Sequence, residues 1–585
     1  MRHTKIVCTL GPATDRPGVL EKMIAAGMDA ARLNFSHGST EEHGRRIEQA
    51  RRVALAAGRH IAIMVDTKGP EVRLGLFEGG RARLRAGSTF TLTTRQVKGD
   101  AAGATVDFDG FPECVHPGSR VLIDDGNIIL TVRAIAADEV VCWVESGGVV
   151  SDRKKVNVPE ADLPLPVVTE KDREDIRFAV TSRADFIAAS FIRQASNVLE
   201  IRRTIEEAGG DLAIIAKVEN GQGVRHLDEI LKVADGLMVA RGDLGVEMPA
   251  EEVPLLQKMM ISKCLSLGKP VITATQMLES MVESPRPTRA EASDVANAIL
   301  DGTDAVMLSA ESAVGHHPVE AVETLVRIAL RTEKALDHED ILARRRSAAR
   351  RSVTEAISYA TCASAHDLGA AAIVTATTSG HTARMVARYR PRPPVIAVTT
   401  SDRVARKLAL VWGVMPVTSE TTTDADLLFE KAIDAALQSG VVRNGDLVAI
   451  TAGVPVGVPG TTNLLKVQVV GDVALRGTGI GQQSATGRVC VARTAKEAAA
   501  KLRAGDILVT TATDRDVVPY LSGAAGIVAE EGGLTSHAAI IALNLAIPAI
   551  VGAGGATGIL ADGETVTIDA SRGLVYRGKA QTGSS

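Results

Sequence analysis

Eight short apolar runs, separated by helix-like stretches, constrain the fold of this 585-residue chain more than any other feature. Repeated strand–helix units predict a parallel sheet, because each crossover helix returns the chain to the same end of the sheet. Eight such units predict a closed (β/α)8 barrel, the TIM barrel of the α/β class. The predicted strands cover residues 5–10, 29–35, 61–66, 185–190, 212–218, 236–241, 270–275 and 304–309.

A long insertion separates the third predicted strand from the fourth. About 120 residues lie between them, far more than one crossover needs. The inserted segment is rich in Gly, Thr and Val, and its Asp125-Gly126 pair is a strong turn signal. We therefore predict a small β-barrel domain at 71–163, set into a catalytic barrel formed by 1–70 and 164–344.

Two further domains are predicted after the barrel. The basic stretch Arg344–Arg351 is typical of a solvated linker or helix face. It leads into an α/β domain at 345–472, where apolar runs such as Ala371–Thr377 predict buried parallel strands. Residues 473–585, rich in Gly and Ala, are predicted to form an extra C-terminal domain.

Composition excludes several classes of protein. Aromatic residues make up only 3% of the chain, which disfavours an aromatic platform for single-stranded nucleic acid. The net charge of -4 implies no polyanion partner. The six cysteines are scattered without a Cys-x-x-Cys pair, as in a cytoplasmic protein with reduced thiols. The longest apolar run, Ala538–Val551, is too short to span a membrane.

Charged side chains follow two neighbouring predicted strands. Glu219 and Asp243 supply two carboxylates, which suit Mg²⁺ or Mn²⁺ with coordination positions left for substrate oxygens and water. Lys217 precedes Glu219 by two residues and therefore shares its face of the strand. An ammonium beside such an ion suits the transfer of a phosphoryl group. A purely structural Lys–Glu pair is the alternative.

Five segments carry most of the polar residues at the predicted strand ends: Ala31–His37, Val65–Arg73, Lys217–Asn220, Ala240–Gly245 and Ala274–Ser280. In this order and spacing they resemble the pyruvate kinase family, and the match runs from about residue 3 to about residue 470. The resemblance implies transfer of the phosphoryl group of phosphoenolpyruvate to ADP, followed by protonation of the enolate, which yields ATP and pyruvate.

The resemblance also implies roles for individual residues. Catalytic roles fall to Arg32, Lys217, Thr275, Ser309 and Glu311, of which the last three form a candidate proton relay. The expected contacts of phosphoenolpyruvate are Arg32, Ser190, Lys217, Gly242, Asp243 and Thr275. The expected contacts of ADP or ATP are Pro12, Asn34, His37, Arg73 and Lys154. Near Lys154 the family commonly reads Lys-Lys-Gly-Val-Asn, whereas Arg153–Asn157 of this chain lacks the Gly.

Two ion sites follow from the same resemblance. A divalent ion, Mg²⁺ or Mn²⁺, is expected at Glu219 and Asp243. A K⁺ ion is expected at a set of oxygen donors: Asn34, Ser36, Asp66 and Thr67. Glu71 supports the K⁺ site, because relatives with Glu at this position tend to need K⁺ and relatives with Lys there tend not to.

The segment Thr377–Thr382 matches the family's effector loop. Its residues are Thr377, Thr378, Ser379, Gly380, His381 and Thr382, and hydroxyls beside a helix N-terminus suit a phosphate. Relatives regulated by sugar bisphosphates carry Lys at the position of Thr378, and Gly453–Asn463 contains no Lys or Arg. A monophosphate effector such as AMP or ribose 5-phosphate is therefore expected rather than fructose 1,6-bisphosphate. A simple helix cap is the alternative.

The C-terminal domain contains Glu531–Ala539, which resembles the phosphohistidine motif of swivelling phosphoenolpyruvate-utilising enzymes. A pyruvate kinase with this appendix resembles the longer form of Bacillus-type bacteria. His537 could accept a phosphoryl group, but no grasp-type ATP domain is recognisable in the chain. We interpret the domain as a structural or interaction module, and family resemblance implies a homotetramer.

Two rival functions remain at this point. A swivelling dikinase or synthase would make phosphoenolpyruvate through His537, and it would need the ATP domain that the sequence lacks. An inactive regulatory scaffold would not need the intact polar set Lys217, Glu219, Asp243 and Thr275.

Overall fold

The computed structural model describes residues 1–159, 161–347, 352–420, 425–454 and 461–580. The chain divides into two compact units. The first contains Met1–Arg350, Thr378–Arg390 and Ser401–Pro416, and the second contains Arg351–Thr377, Pro391–Thr400 and Val417–Ser585.

The first three barrel strands come before the insertion. The elements are β1 (Lys5–Thr9), α1 (Val19–Ala26), β2 (Ala30–Asn34), α2 (Thr40–Ala56) and β3 (Ala62–Asp66). The strands are buried on both faces, as parallel strands covered by helices must be. Helix α2 begins at a capping box, in which Ser39 accepts the N–H of Glu42 and the Glu42 carboxylate accepts the N–H of Ser39.

The inserted domain is built from short strands around its own apolar core. They are β4 (Val72–Arg73), β5 (Arg81–Leu84), β6 (Thr89–Thr93), β7 (Gly103–Thr105), β8 (Arg120–Ile123), β9 (Ile128–Ile135), β10 (Glu139–Ser146), β11 (Gly148–Ser151) and β12 (Lys155–Asn157). Seven of them form one sheet in the order β4-β12-β8-β9-β10-β6-β7, and β5 pairs with β11. A bridge between Leu74 and Val106 joins the two edges of the sheet, so that the sheet curls into a small barrel.

The remaining barrel elements follow in chain order. They are α3 (Glu170–Thr181), β13 (Phe186–Ala189), α4 (Ala195–Glu207), β14 (Ala213–Val218), α5 (Gly221–Arg225), α6 (Leu227–Val233), β15 (Gly236–Ala240), α7 (Arg241–Glu247), α8 (Val253–Leu267), β16 (Val271–Ala274), α9 (Arg289–Asp301), β17 (Ala305–Leu308), α10 (Ala310–Ala313), α11 (Pro318–Glu333) and α12 (His338–Ser347). Strand β17 pairs with β1 in parallel and closes the eight-stranded barrel. The predicted TIM barrel is confirmed, and each predicted run contains one of its strands.

Elements of the α/β region are shared between the two units. In chain order they are α13 (Val353–Asp367), β18 (Ala372–Ala376), α14 (His381–Ala387), β19 (Val395–Thr399), α15 (Asp402–Leu408), β20 (Val414–Thr418), α16 (Ala425–Gln438), β21 (Leu447–Ala452) and β22 (Leu464–Val469). In the second unit β18 pairs in parallel with β19 and β21, and β22 runs antiparallel to β21. Helices α14 and α15 belong to the first unit.

Helix α15 and the residues after it close the end of the barrel where the strands begin. Leu410 is buried among side chains of the barrel interior. Arg406 pairs with Asp185 just before β13, at 2.8 Å, and the backbone N–H of Trp412 donates to Asp304 just before β17, at 3.0 Å. The opposite end, where the strands finish, is the end at which enzymes of this fold carry their chemistry.

The C-terminal domain forms the rest of the second unit. Its elements are β23 (Val473–Arg476), β24 (Thr478–Ile480), β25 (Ser484–Val491), α17 (Ala495–Lys501), β26 (Ile507–Thr510), β27 (Gly526–Ala529), α18 (His537–Leu545), β28 (Ala549–Val551), α19 (Ala556–Ile559), β29 (Thr565–Asp569) and β30 (Leu574–Arg577). The strand order is β23-β30-β29-β25-β26-β27-β28-β24. Arg572 binds Asp446 at 2.9 Å and the backbone oxygen of Asn444 at 3.0 Å, which ties this domain to the α/β domain.

Three further predictions concern the basic stretch, the cysteines and membrane-spanning helices. The basic stretch Arg344–Arg351 forms the last turn of α12 up to Ser347, and residues 348–351 lie outside the described part of the chain. All six cysteines are free. Among the helices that the structure describes, none combines the length and apolarity required to cross a bilayer.

Candidate active site

A cleft of about 760 Å³ lies where the barrel strands end, beneath the inserted domain. We call it the strand-end cleft. Its lining contains most of the residues predicted for the site: Arg32, Asn34, Ser36, His37, Glu71, Arg73, Ser190, Lys217, Glu219 and Asp243. No role was assigned from the sequence to the other eight lining residues: Lys68, Leu74, Gly75, Leu76, Gln96, Asp107, Arg153 and Phe191.

A buried network of charges forms the floor of the cleft. The Lys217 ammonium lies 2.7 Å from Ser190 Oγ, 3.0 Å from Glu219 Oε1 and 3.1 Å from Asp66 Oδ1. Arg32 donates to the other oxygen of Asp66 at 2.6 Å. Burial opposes charge on Lys217, but Asp66 and Glu219 outweigh it and raise the pKa of Lys217 above its ordinary value. The ammonium is therefore permanently charged.

Glu219 and Asp243 both line the cleft. Burial, and then the charge of Asp243, raise the pKa of Glu219 to about 7 despite the attraction of Lys217. The described residues contain no group of three or more His, Cys, Asp and Glu suited to a metal ion. Two repelling carboxylates that border an open cleft nevertheless fit a cation such as Mg²⁺, which takes only one or two protein carboxylates and fills its other positions with substrate and water.

Helix α7 carries Asp243 over the end of β15. The Asp243 carboxylate binds the ammonium of Lys155, from β12 of the inserted domain, at 2.5 Å. Burial disfavours charge on Lys155, yet Asp243, Glu219 and Glu71 raise the pKa of Lys155 above its ordinary value. The neighbouring Lys154, which the sequence had suggested as a nucleotide contact, instead binds Asp124 at 2.6 Å and does not line the cleft. The nucleotide contact of Lys154 remains a prediction.

Thr275 lies directly after β16 with a strained backbone, at φ 65°. Its hydroxyl accepts the N–H of Gly242 at 2.8 Å and donates to the backbone oxygen of Ala274 at 2.6 Å. Arg241 donates to the backbone oxygen of Thr275 at 2.7 Å. Thr275 and Gly242, both expected to contact phosphoenolpyruvate, are thus brought together.

Ser309 and Glu311 lie after β17 and do not line the cleft. The Glu311 carboxylate accepts the N–H of Ser309 at 2.7 Å and the N–H of Leu278 at 3.1 Å. Burial raises the pKa of Glu311 above its ordinary value. The geometry assigns Glu311 a positioning role, since it fastens the loop after β16 to the end of β17.

The oxygen donors predicted for K⁺ come from two adjacent strands. Asn34 and Asp66 are directly paired in the register of β2 and β3. Asn34 and Ser36 border the cleft, whereas Thr67 is buried with its hydroxyl 3.4 Å from the backbone oxygen of Ala188. Arg32 and Lys217 lower the pKa of Asp66 against the effect of burial, so its carboxylate is ionised. A set of oxygens with one formal charge fits a large monovalent ion.

The predicted nucleotide contacts divide into two groups. Asn34, His37 and Arg73 line the cleft, and Arg73 is held by Glu71 at 2.5 Å. Pro12 is exposed in the loop after β1 and is not part of the cleft lining. Lys68 does line the cleft, and its place inside the Val65–Arg73 segment was the signal that could have identified it.

The predicted effector loop is divided between the two units. In the second unit, Thr377 follows β18 and its N–H donates to Val398 at 2.9 Å. In the first unit, Gly380 caps α14 at φ 78°, and a Cβ there would lie 3.0 Å from Leu408. Thr378 and Ser379 precede Gly380, and His381 and Thr382 open α14. Of the segment Gly453–Asn463, residues 455–460 lie outside the described residues.

His537 is the first residue of α18. Ser536 caps the helix by accepting the N–H of Ala539 at 3.3 Å. The His537 Nδ1 atom lies 3.1 Å from the hydroxyl of Thr513. This contact orients the imidazole ring through Nδ1, and Nε2 is the nitrogen that the Thr513 hydroxyl does not contact.

Comparison with known proteins agrees with this geometry. Residues 1–322 match the family model of the pyruvate kinase barrel domain, and residues 355–468 match that of the pyruvate kinase alpha/beta domain. The chain belongs to the pyruvate kinase family. Residues 502–573 also match the mobile domain of PEP-utilising enzymes, so the predicted extra domain is confirmed.

Relatives similar over their whole length support the assignment. The pyruvate kinase of Geobacillus stearothermophilus is 54% identical over 582 residues, covering 99% of each chain. That of Bacillus licheniformis is 53% identical over 583 residues, covering 99% of this chain and 100% of the relative. A crystal structure of a Cryptosporidium parvum pyruvate kinase is 40% identical with a TM-score of 0.77, covering 80% of this chain and 96% of that one. The enzyme is a phosphotransferase of the Bacillus-type long form.

Proposed function

We propose that the strand-end cleft binds phosphoenolpyruvate and ADP and releases pyruvate and ATP. The observation that carries this proposal is the Lys217 ammonium, held among Ser190, Glu219 and Asp66 at the floor of the cleft. A fixed, permanently charged donor of this kind can stabilise both a transferring phosphoryl group and a developing enolate.

In this proposal the residues of the cleft act by positioning and by charge. Arg32 binds the phosphoryl oxygens through its guanidinium, which suits phosphate. Glu219 and Asp243 would hold the divalent ion, which supplies positive charge to the phosphoryl and carboxylate oxygens. The substrate carboxylate would take the N–H of Gly242 in place of Thr275 Oγ1, which frees the hydroxyl beside the reacting carbon. A water ordered by Thr275 and Ser309 then delivers the proton to the enolate.

We propose that K⁺ is held by Asn34, Ser36, Asp66 and Thr67, and that activity depends on it. Glu71 adds negative charge beside Arg73 and lies 3.9 Å from Lys155. In Glu71→Lys a fixed ammonium would replace the charge of the ion, so the dependence on K⁺ should weaken. Full wild-type activity without K⁺ and Na⁺ would contradict the proposal.

Activation by a phosphorylated metabolite is proposed at the loop Thr377–Thr382. The loop offers hydroxyls and carries neutral Thr378, which supports a monophosphate such as AMP or ribose 5-phosphate. These compounds should lower the half-saturating phosphoenolpyruvate concentration more than fructose 1,6-bisphosphate does. A larger shift with the bisphosphate, abolished in Ser379→Glu, would show that the loop prefers two phosphates.

The remaining proposals concern the whole molecule, and the oligomeric state among them rests on family resemblance alone. The enzyme is a cytoplasmic homotetramer. Its domains are the barrel at 1–70 and 164–344, the inserted domain at 71–163, the α/β domain at 345–472 and the extra domain at 473–585. The extra domain serves as a structural or interaction module.

A coupled assay tests the central proposal directly. Pyruvate formed from phosphoenolpyruvate and ADP is followed through its reduction by lactate dehydrogenase, with Mg²⁺ or Mn²⁺ and with or without K⁺. Asp243→Asn should raise the half-saturating Mg²⁺ concentration because one ligand charge is lost. An unchanged requirement for Mg²⁺ would remove Asp243 from the ion site.

A further inference from the structure

Two contacts join strand β12 of the inserted domain to helix α7 of the barrel. Lys155 Nζ lies 2.5 Å from Asp243 Oδ1, and Asn157 Nδ2 donates to Glu247 Oε1 at 2.5 Å. The Lys155 side chain is only 12% exposed, and Asn157 is buried. These are enclosed contacts, where charge–charge attraction is less screened than at a surface.

The distance between Lys155 and Asn157 on β12 is close to the distance between Asp243 and Glu247 on α7. Lys155 and Asn157 are two apart on a strand, so they share a face and lie about 6.6 Å apart along it. Asp243 and Glu247 are four apart on a helix, so they share a face and lie about 6 Å apart along the axis. One face of β12 therefore meets one face of α7 at two points in register.

We propose that these contacts form a two-point clasp between the inserted domain and α7, and that Lys155 competes with the divalent cation for Asp243. The competition rests on the proposed role of Asp243 as an ion ligand. The ammonium binds a carboxylate oxygen that a cation would use, so loading of Asp243 releases one point of the clasp. The Asn157–Glu247 contact remains as the anchor.

Two groups near Lys155 can bind its ammonium after it leaves Asp243. Its ammonium lies 3.9 Å from Glu71 Oε1 and 4.6 Å from the centre of the Phe191 ring. A carboxylate and an aromatic face are both favourable partners for a displaced ammonium. Cation binding thus exchanges one partner of Lys155 for others and does not leave a buried charge unpaired.

The competition is tested by Mn²⁺ binding without substrates, with free Mn²⁺ followed by electron paramagnetic resonance. Lys155→Met should bind Mn²⁺ about tenfold more tightly, the ratio that ~1.4 kcal/mol of lost competition gives. Lys155→Arg should stay close to wild type. Lys154→Met is the matched control, because it removes the same charge from a residue that pairs with Asp124, and its Kd should not change. Unchanged or weaker Mn²⁺ binding in Lys155→Met would overturn the competition.

Hydrogen exchange tests the clasp independently. In metal-free protein, Lys155→Met and Glu247→Ala should both lose amide protection in β12 and α7, and only Lys155→Met should gain Mn²⁺ affinity. Unchanged protection in both variants would overturn the clasp. The variant Asp243→Asn separates the competition from the clasp. Wild-type Mn²⁺ binding in this variant would refute the ligand role of Asp243, and with it the competition by Lys155. The hydrogen-exchange result would still decide whether the clasp exists.

Discussion

Lys217 is held by acceptors that come from three different strands. Asp66 ends β3, Ser190 follows β13 and Glu219 follows β14. All three acceptors also serve other groups, since Asp66 binds Arg32, Ser190 donates to the backbone oxygen of Thr67 at 2.7 Å, and Glu219 accepts the N–H of Phe191 at 2.5 Å. The position of one ammonium therefore depends on the alignment of several strand ends.

Lys217→Met should lower kcat by about 10²–10³, because a charged group that stabilises the transition state contributes about 3–4 kcal/mol. Binding of ADP, measured by calorimetry, should stay nearly unchanged. Thermal unfolding of the variant should be recorded in parallel, because three acceptors lose their donor. Near-normal turnover in a folded variant would refute the catalytic assignment of Lys217.

His3 makes the stability of the first unit sensitive to pH. Burial, and then the positive charges of His338, Lys5, the N-terminus and Arg390, lower the pKa of His3 from 6.5 to about 3. Between these values the unfolded chain binds a proton that the folded chain does not, so the free energy of unfolding decreases as pH falls from about 6.5 towards 3. Above pH 6.5 the effect vanishes.

His3→Phe should reduce this pH dependence, since Phe can pack edge-on against Trp412 as His3 does and has no proton to bind. The measurement is the difference in Tm between variant and wild type from pH 8 to pH 5. The difference should be constant above pH 7 and should shift in favour of the variant at lower pH. A constant difference throughout would show that His3 does not stay neutral in the folded protein.

At the scale of elements, the loops that follow the barrel strands are fastened to each other. Glu311 joins the loop after β16 to the end of β17, and Arg241 joins the start of α7 to the end of β16. These contacts run from one strand end to the next. They fix the strained backbone of Thr275 beside Gly242.

Glu311→Gln should lower the stability of this region, and any loss of kcat should accompany that loss of stability. The amide retains one acceptor oxygen and directs its own N–H groups at a backbone donor, and an unsatisfied buried donor costs about 1–3 kcal/mol. Denaturant unfolding and exchange of the Leu278 and Ser309 amides measure the effect. A loss of kcat with unchanged stability and exchange would instead support the proton relay.

The strands could be predicted from sequence because each is an apolar run followed at once by a polar residue, as in Val65-Asp66 and Val218-Glu219. The polar residues lie close together because the parallel strands of a closed barrel all end on the same side. The side-chain orientations of Lys154 and Lys155 could not be predicted, because Lys154 precedes β12 and β12 itself has only three residues, with no alternation that fixes its register. The hydrogen bonds of Glu311 could not be predicted either, since its partners are backbone N–H groups, which carry no sequence signal.

At the scale of the whole molecule, the barrel contains all the groups proposed for phosphoryl transfer, and the C-terminal domain is tied to the α/β domain through Arg572. Its His537 is oriented by Thr513. No step of the proposed reaction requires a phosphohistidine. The domain can therefore contribute to stability or assembly without taking part in the chemistry.

His537→Ala should leave the kinase rate within about twofold, as expected for a substitution outside the chemistry. Deletion of 473–585 should affect stability or assembly more than turnover. Incubation with ³²P-labelled phosphoenolpyruvate should give no acid-labile, base-stable label. Stoichiometric labelling that disappears in His537→Ala would establish a phosphohistidine and overturn the interpretation as a structural module.

The pairing of the first and last strands of the C-terminal domain determines how that domain responds to mechanical force. Strand β23 runs antiparallel to β30, with Val473 opposite Tyr576, so the chain enters and leaves the domain at the same edge. A pull between residue 472 and a handle after Arg577 loads these hydrogen bonds one after another, as in opening a zipper, and does not shear them together. In an optical trap the domain should open at low force, beginning with the separation of β23 from β30. An unfoldase that pulls on the chain after Arg577 would therefore break the hydrogen bonds between β23 and β30 one at a time.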